Sequence, residues 1–284
     1  MQLTIDNTLN TMAKTIKLLD HTTVERELYI NSMYDDTFYY EHLGMDKVLS
    51  YSSLKYLLKS PKWFAHKLKK QDDKETQALR DGKLIHTQIL EPNKYDQFTF
   101  VDTSSKNTTK WKLAKEQNGA SNTYTKKEQY MCNRISSAFL QNAKCVSFMK
   151  GAENEIPMLK EVLGIPVRAK ADILKEGEYV ADVKTTIDDL KDVVVDGKMS
   201  NSFADTIDAY DYDLQAYLYT QMFNVPDFYW LVINKFTTDI GVFKASAKTL
   251  QRGKDKLEAA VALYNAFFVD ELVDLSQYQK ELTL

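Results

Sequence analysis

Residues 164–186 read GIPVRAKADILKEGEYVADVKTT, and the fold is decided by how this stretch pairs with itself. Val167 to Leu174 and Tyr179 to Thr185 alternate as half-buried strands do. They flank the polar turn Lys175-Glu176-Gly177-Glu178, so the pattern predicts a β-hairpin. On the first strand Arg168, Lys170 and Asp172 fall on one face, and Val167, Ala169, Ala171 and Ile173 on the other. On the second, Asp182 and Lys184 share a face with Val180. If Lys175 pairs with Tyr179 across a three-residue loop, Asp172 lies directly opposite Asp182, with Cβ atoms roughly 4.5–5.5 Å apart. A four-residue loop would send the carboxylates to opposite faces, because one step of register flips every side chain. The expected arrangement is the odd loop, or a bulge, with Gly177 at positive φ.

Two carboxylates at that separation repel, and one would ordinarily hold a proton. A divalent cation removes the conflict and favours oxygen ligands of this kind. A neighbouring lysine could then hold a phosphate or a nucleophilic water. The same residues also suit a solvated edge strand. Asp172 followed ten residues later by Asp182-Val183-Lys184 resembles the D…(D/E)-x-K signature of the PD-(D/E)XK nuclease superfamily. The R-x-K-x-D and D-V-K-T-T strands are similar to its RecE-type branch, the exodeoxyribonuclease VIII and phage recombination exonuclease family.

Further matches lie along the chain. Residues 49–70, LSYSSLKYLLKSPKWFAHKLKK, open with serines suited to N-capping. Leu54, Leu57 and Leu58 repeat at helical spacing, and Ser60-Pro61 predicts a break before a second helical stretch through Trp63, Phe64 and Leu68. This beginning resembles the same family. Lys55, Lys59, Lys62, Lys67, Lys69 and Lys70 form the densest basic cluster, which either solubilises a helix face or tracks a DNA backbone. Residues 76–92, TQALRDGKLIHTQILEP, predict a helix ending before Pro92, with Ala78, Leu79, Leu84, Ile85, Ile89 and Leu90 as its buried stripe. His86 follows Gly82 by four and shares its face. The residues alone allow a packing histidine. The G-x-x-x-H…E-P string is similar to the family's metal-binding histidine motif, which implies His86 as a third ligand beside Asp172 and Asp182. Gly82 would then admit a close neighbour beside the imidazole.

Glu153 and Glu155 precede a strand predicted over Ile156 to Val162. The superfamily has a glutamate at this distance before the first aspartate, and Glu155 matches it better, although a surface glutamate fits the residues equally. Residues 212–223, YDLQAYLYTQMF, read as a helix in which Gln215 and Tyr219 share a face. Their Q-x-x-x-Y spacing resembles the family motif that lines the active-site cleft. Residues 102–124 are expected to be a mobile loop in which Lys110, Trp111 and Lys112 either meet nucleic acid or pack locally. Thr125-Lys126-Lys127-Glu128 has the form of a capping box and starts a helix predicted to run to about Met149, with Met131, Ile135, Phe139 and Leu140 as core. A short helix through Leu9, Met12, Ile16 and Leu19, a polar connection over 187–211, strands over Phe228 to Asn234 and Ile240 to Ala245, a helix from Leu250 to Phe268 and a frayed acidic tail complete the expectation.

The order of elements predicts an α/β (α+β) fold with a central mixed sheet flanked by helices. The resemblance implies a restriction-endonuclease-like core with N-terminal helical additions. The expected division is an extension over 1–48, one nuclease domain over 49–270 and a tail over 271–284. The resemblance also implies a metal-dependent DNA exonuclease that degrades linear double-stranded DNA, 5′ to 3′, in phage-type recombination. Asp172, Asp182, His86 and the Val183 carbonyl would hold one or two Mg²⁺ or Mn²⁺ ions. Lys184, Gln215, Tyr219 and Glu155 would complete the catalytic set. Double-stranded DNA ends, a single-strand-annealing recombination protein and further copies of the chain in a ring are the implied partners. A structure-dependent or CRISPR-associated-like endonuclease, and a non-catalytic DNA-binding or interaction protein, remain open alternatives.

Composition bounds these readings. The chain has 284 residues, 44% hydrophobic and 27% charged, which is ordinary for a globular protein. No apolar run is long enough to span a bilayer and Met1 leads into no signal-like segment, so a cytoplasmic location without membrane contact is expected. Cys132 and Cys145 form no C-x-x-C pair and suggest reduced structural thiols rather than an iron–sulfur site. The formal net charge of −3 is unfavourable for DNA binding, which draws on neutralised phosphates, so basic residues must be concentrated locally or within an oligomer.

Overall fold

A computed structural model describes residues 14–69, 76–190, 192–195, 198–270 and 274–279. A short hairpin, β1 (Thr15–Lys17) and β2 (Thr23–Glu25), leads into α1 (Arg26–Ser32). Leu9 and Met12 lie outside the described residues, and Ile16 belongs to a strand rather than to the expected helix. With Leu18, Val24, Met33, Tyr39 and Leu43, Ile16 forms a small apolar cluster that closes over Leu159 of the main sheet. The described part of the segment read as an extension, residues 14–48, is thus packed against the sheet.

Capping sets the helix starts. Ser50 caps α2 (Tyr51–Lys59) through a box with Ser53, and Ser60 caps α3 (Pro61–Leu68), with Pro61 in the first turn where its missing N–H costs nothing. Thr76 caps α4 (Gln77–Leu90), and α5 (Pro92–Tyr95) follows. Leu84, Ile85, Ile89 and Leu90 are buried as expected, whereas Leu79 is 65% exposed and Ala78 also faces solvent.

The expected loop over 102–124 is largely ordered. After β3 (Thr99–Val101), Thr108 caps α6 (Thr109–Asn118), and β4 (Thr123–Thr125) pairs in parallel with β3. Trp111 is buried, with Lys106 above its ring. This helix is polar on nearly all sides, so it carries no periodic signal. The Thr125–Glu128 capping box forms and starts α7 (Lys126–Gln141). Asn142 then accepts from the N–H groups of Lys144 and Cys145 and starts a separate α8 (Ala143–Met149). The predicted single helix is two, and Leu140 lies at the exposed end of the first.

The central sheet consists of β5 (Glu153–Val162), β6 (Ile165–Lys175), β7 (Tyr179–Thr186), β10 (Asp227–Asn234) and β11 (Ile240–Lys244), in the order β11-β10-β7-β6-β5. Only β7–β10 is a parallel pair. Between them lie the hairpin β8 (Asp192–Val195) and β9 (Lys198–Asn201), then α9 (Ser202–Ala209) and α10 (Tyr212–Phe223). The described residues of the connection over 187–211 therefore form a hairpin and a helix rather than a plain polar loop. α10, α2 and the final α11 (Ala247–Tyr264) cover one face of the sheet, and α4 and α7 the other. Residues 274–279 return to α3, where Lys62 donates to the carbonyls of Ser276 and Tyr278. Both cysteines are free and buried. Among the described residues no helix is long and apolar enough to cross a membrane.

Candidate active site

The hairpin has the predicted parity. Lys175 pairs with Tyr179, Leu174 with Val180 and Ile173 with Ala181, and Gly177 takes a φ of +70° in the turn. The next step of this register sets Asp172 against Asp182. On the other side of β6, the pairs Asn154–Ile173 and Ile156–Ala171 set Asp172 against Glu155. Three acidic residues therefore stand in one row across three adjacent strands.

At that row the sheet departs from regular alternation. Glu155 has a φ of +56° in mid-strand, a conformation that costs an L-residue roughly 1–3 kcal/mol. Asp172 leaves the ladder and its Oδ2 accepts the N–H of Val183 at 2.8 Å. Val167, Ala169 and Ala171 pack in the layer with α10, but Ile173 joins the layer with α4 and α7. The expectation that Ile173 shares a face with those three residues fails here, at the row where Asp172 turns out of the ladder opposite the left-handed Glu155. Val183 lines the cleft, and its carbonyl lies on the same side of β7 as the N–H that Asp172 holds.

His86 reaches this row from the middle of α4, whose neighbouring residues Leu84, Ile85 and Ile89 anchor the helix in the core. Its Nε2 lies 3.0 Å from Asp172 Oδ2 and 3.5 Å from Glu155 Oε1. Ligand atoms of His86, Glu155 and Asp172 all lie within 4.8 Å of one another. Asp182 stands beside this cluster with both oxygens engaged: Oδ1 accepts from Gln215 Nε2 at 2.7 Å, and Oδ2 faces Lys184 Nζ at 2.6 Å. The compact triad thus contains Glu155, where the sequence-based ligand set has Asp182. Gly82 contributes less than expected: a Cβ there would meet Thr185 Oγ1 at 4.0 Å, an ordinary contact.

The electrostatics follow from crowding. Burial pushes the Glu155 carboxyl up to about 7, with Asp172 adding to the effect and His86 opposing it. Burial, then Asp172, raises Asp182 to about 6 against the pull of Lys184. Burial disfavours charge on His86, but Asp172 and then Glu155 outweigh it and lift the imidazole to about 9. Burial opposes ionisation of Asp172 as well, yet His86 holds its carboxyl below the usual range. Lys184 is raised, since Asp182 more than offsets its burial. Glu155 Oε1 and Gln215 Oε1 are buried acceptors with no hydrogen-bond donor. Oxygen-rich donors, a shared imidazole and orphaned acceptors fit a hard divalent cation.

These groups form one wall of an open cleft of about 700 Å³. Tyr219 also lines it and is buried. Tyr39, Tyr40 and Arg168 form part of the lining and were not anticipated as site residues. Asp36 pairs with Lys94 and Lys170 at 2.8 and 2.9 Å and so fastens the N-terminal segment over the site. That segment is aperiodic in sequence; the one available signal was the R-x-K alternation, which left two cations without an evident partner.

Comparison with known proteins agrees with this architecture. No protein of curated function matches the chain. The crystal structure of a protein described as "Putative exonuclease" from Eubacterium rectale aligns over 84% of this chain and 90% of its own, with a TM-score of 0.56 and 20% identity, a likeness of fold. That of SSO0001 aligns over 72% of this chain and 84% of its own at 16% identity with a TM-score of 0.26, too low to bear on the argument. The family model described as "PDDEXK-like domain of unknown function (DUF3799)" matches residues 50–271, which contain the whole acidic row, His86 and Lys184. The chain belongs to this PDDEXK-like family, within the superfamily that its hairpin motif resembles.

Proposed function

We propose that the protein is a divalent-metal-dependent nuclease that hydrolyses phosphodiesters of DNA. The observation that carries this reading is the convergence of Glu155, Asp172, Asp182 and His86 on one wall of an open cleft, beside a charged Lys184. His86, Glu155 and Asp172 would hold the ion, with Asp182 and the Val183 carbonyl available to it. A bound Mg²⁺ or Mn²⁺ would supply Lewis acidity and lower the pKa of a water.

The remaining chemistry belongs to the chain. Lys184 keeps its proton, so it acts as a fixed charge beside the developing phosphoryl anion rather than as a general base. Gln215 lines the cleft and holds the Asp182 carboxylate in place, and its own Oε1 is a buried acceptor without a donor. Tyr219 lines the cleft and would orient the strand. Tyr39 and Tyr40 also line the cleft.

Within this reading the substrate is a linear duplex cut from its 5′ end, the 3′ strand passing to a single-strand-annealing protein, with several copies of the chain assembled around DNA. The R-x-K-x-D and D-V-K-T-T resemblance supports these finer points. The test compares 5′- and 3′-labelled linear duplexes with a closed circle, with and without Mg²⁺. Release of nucleotides from the 5′ label alone, with the circle intact, is expected. Cutting of the circle would identify an endonuclease, and persistent cleavage by Asp182→Asn would overturn the site.

A further inference from the structure

Arg168 is a buried cation for which no described residue supplies an acceptor. It lies on β6 four residues before Asp172, is 8% exposed, and lines the same cleft. Its Nε and Nη1 are buried without a hydrogen-bond partner. The guanidinium stacks 4.5 Å from the centroid of the Tyr39 ring, a contact that orients the group and satisfies none of its donors. Burial pulls its pKa below the usual value, the mark of a charge that the fold does not compensate.

Its neighbours differ. Lys170, two residues on, bonds Asp36 at 2.9 Å, and Lys184 faces Asp182 at 2.6 Å. Both ammonium groups are committed to carboxylates. An arginine left unpaired at this depth is destabilising unless a ligand completes it, and its planar fork suits the paired oxygens of a phosphate. The main chain fixes its position as well. Arg168 N donates to the Leu49 carbonyl at 2.8 Å, and Leu49 N to the Pro166 carbonyl at 3.0 Å. The backbone of β6 therefore runs beside the segment that leads into α2, and Ser50 and the first residues of α2 line the same cleft, where the helix dipole also favours an anion.

We propose that Arg168 binds a phosphate group of the substrate strand, at a subsite separate from the carboxylate cluster. The inference rests on the reading of the cleft as a phosphodiesterase site. The ligand chemistry is a pair of non-bridging phosphate oxygens, which a terminal phosphate and an internal phosphodiester both present. Arg168 would act by holding the strand so that the next linkage lies beside Lys184.

The test uses the full chain in EDTA, where no turnover occurs. Binding of short duplexes with 5′-phosphate or 5′-hydroxyl ends is followed by fluorescence anisotropy across a salt series, for the wild type, Arg168→Met and Arg168→Lys. Arg168→Met should weaken binding on the order of tenfold or more and flatten the salt slope by about one phosphate contact. Its Tm should stay level or rise, since an unpaired buried charge is removed. Arg168→Lys should recover the slope and not the affinity. A loss confined to the 5′-phosphorylated duplex assigns the terminal phosphate; an equal loss on both assigns an internal one. Wild-type affinity and slope in Arg168→Met overturn the inference and make Arg168 a packing partner of Tyr39, while leaving the nuclease reading intact. A wild-type chain that binds neither duplex overturns both.

Discussion

The Asp172 carboxylate accepts the backbone N–H of Val183 at 2.8 Å while its Oδ2 also lies 3.0 Å from His86 Nε2. One side chain thus ends a ladder of main-chain hydrogen bonds and begins the polar site. A strand pair that continued past Ile173–Ala181 would use the Val183 N–H within the sheet. Because the carboxylate takes that donor, the sheet opens at this point, and the cleft opens with it.

Asp172 should therefore affect stability and activity separately. Asp172→Asn keeps an acceptor for Val183 N–H, so its Tm should stay near the wild-type value, whereas Asp172→Ala orphans that donor at a cost of about 1–3 kcal/mol. Both should lose DNA cleavage by on the order of a hundredfold or more. Equal Tm values for the two variants would contradict the structural half of this account.

Metal uptake should release protons. At pH 7 His86 is charged, with its pKa at about 9, and Glu155, at about 7, is half protonated. A cation binds imidazole and carboxylate only after those protons leave. Mg²⁺ or Mn²⁺ affinity should therefore rise as pH increases from 6 to 9, and titration calorimetry in two buffers of different ionisation enthalpy should show net proton release at pH 7. Identical heats in the two buffers would argue against this ligand set.

Acid stability should depend on Glu128. Burial works against its charge, but hydrogen bonds from Lys106, the Thr125 backbone and Gln77 prevail and hold its carboxyl at about 2. A depressed folded-state pKa gives stability that is present above the ordinary glutamate value near 4.5 and is lost as pH falls toward 2. Glu128→Gln should lower stability at pH 7 by on the order of 1–2 kcal/mol after solvent screening, with little difference from wild type near pH 2. Urea unfolding at both pH values measures this.

The seam between α10 and α11 depends on Gly253. A Cβ at that position would lie 2.1 Å from the Asp213 carbonyl oxygen and 2.8 Å from Tyr217 Cβ. Gly253→Ala should cost about 1–3 kcal/mol or more and shift α10, which carries Gln215 and Tyr219. A wild-type Tm in this variant would show that the two helices are not in such close contact.

Local chemistry made much of this legible. The odd loop, the glycine at positive φ and the serine and threonine caps depend on neighbours within a few residues, and each reading agrees with the structure; the buried stripe of α4 agrees from Leu84 to Leu90 and fails at Ala78 and Leu79. The central mixed sheet agrees as well, since strand alternation identifies its members. The loop expected over 102–124 holds α6 and the start of β4, which were missed because a helix polar on nearly every side carries no periodicity, and α7 was run into α8 because Asn142 caps without any break in composition.

What sequence determined here was the list of chemical groups: two aspartates at a fixed spacing, a lysine two residues on, a histidine on a separate helix and a glutamate ahead of the strand. Tertiary structure alone decided which of them meet. The left-handed backbone of Glu155, the departure of Asp172 from the ladder and the pairing of Asp182 with Lys184 and Gln215 arise from contacts among strands and helices far apart in the chain. Those contacts are set by the joint packing of two layers on a twisted sheet, which no single segment encodes.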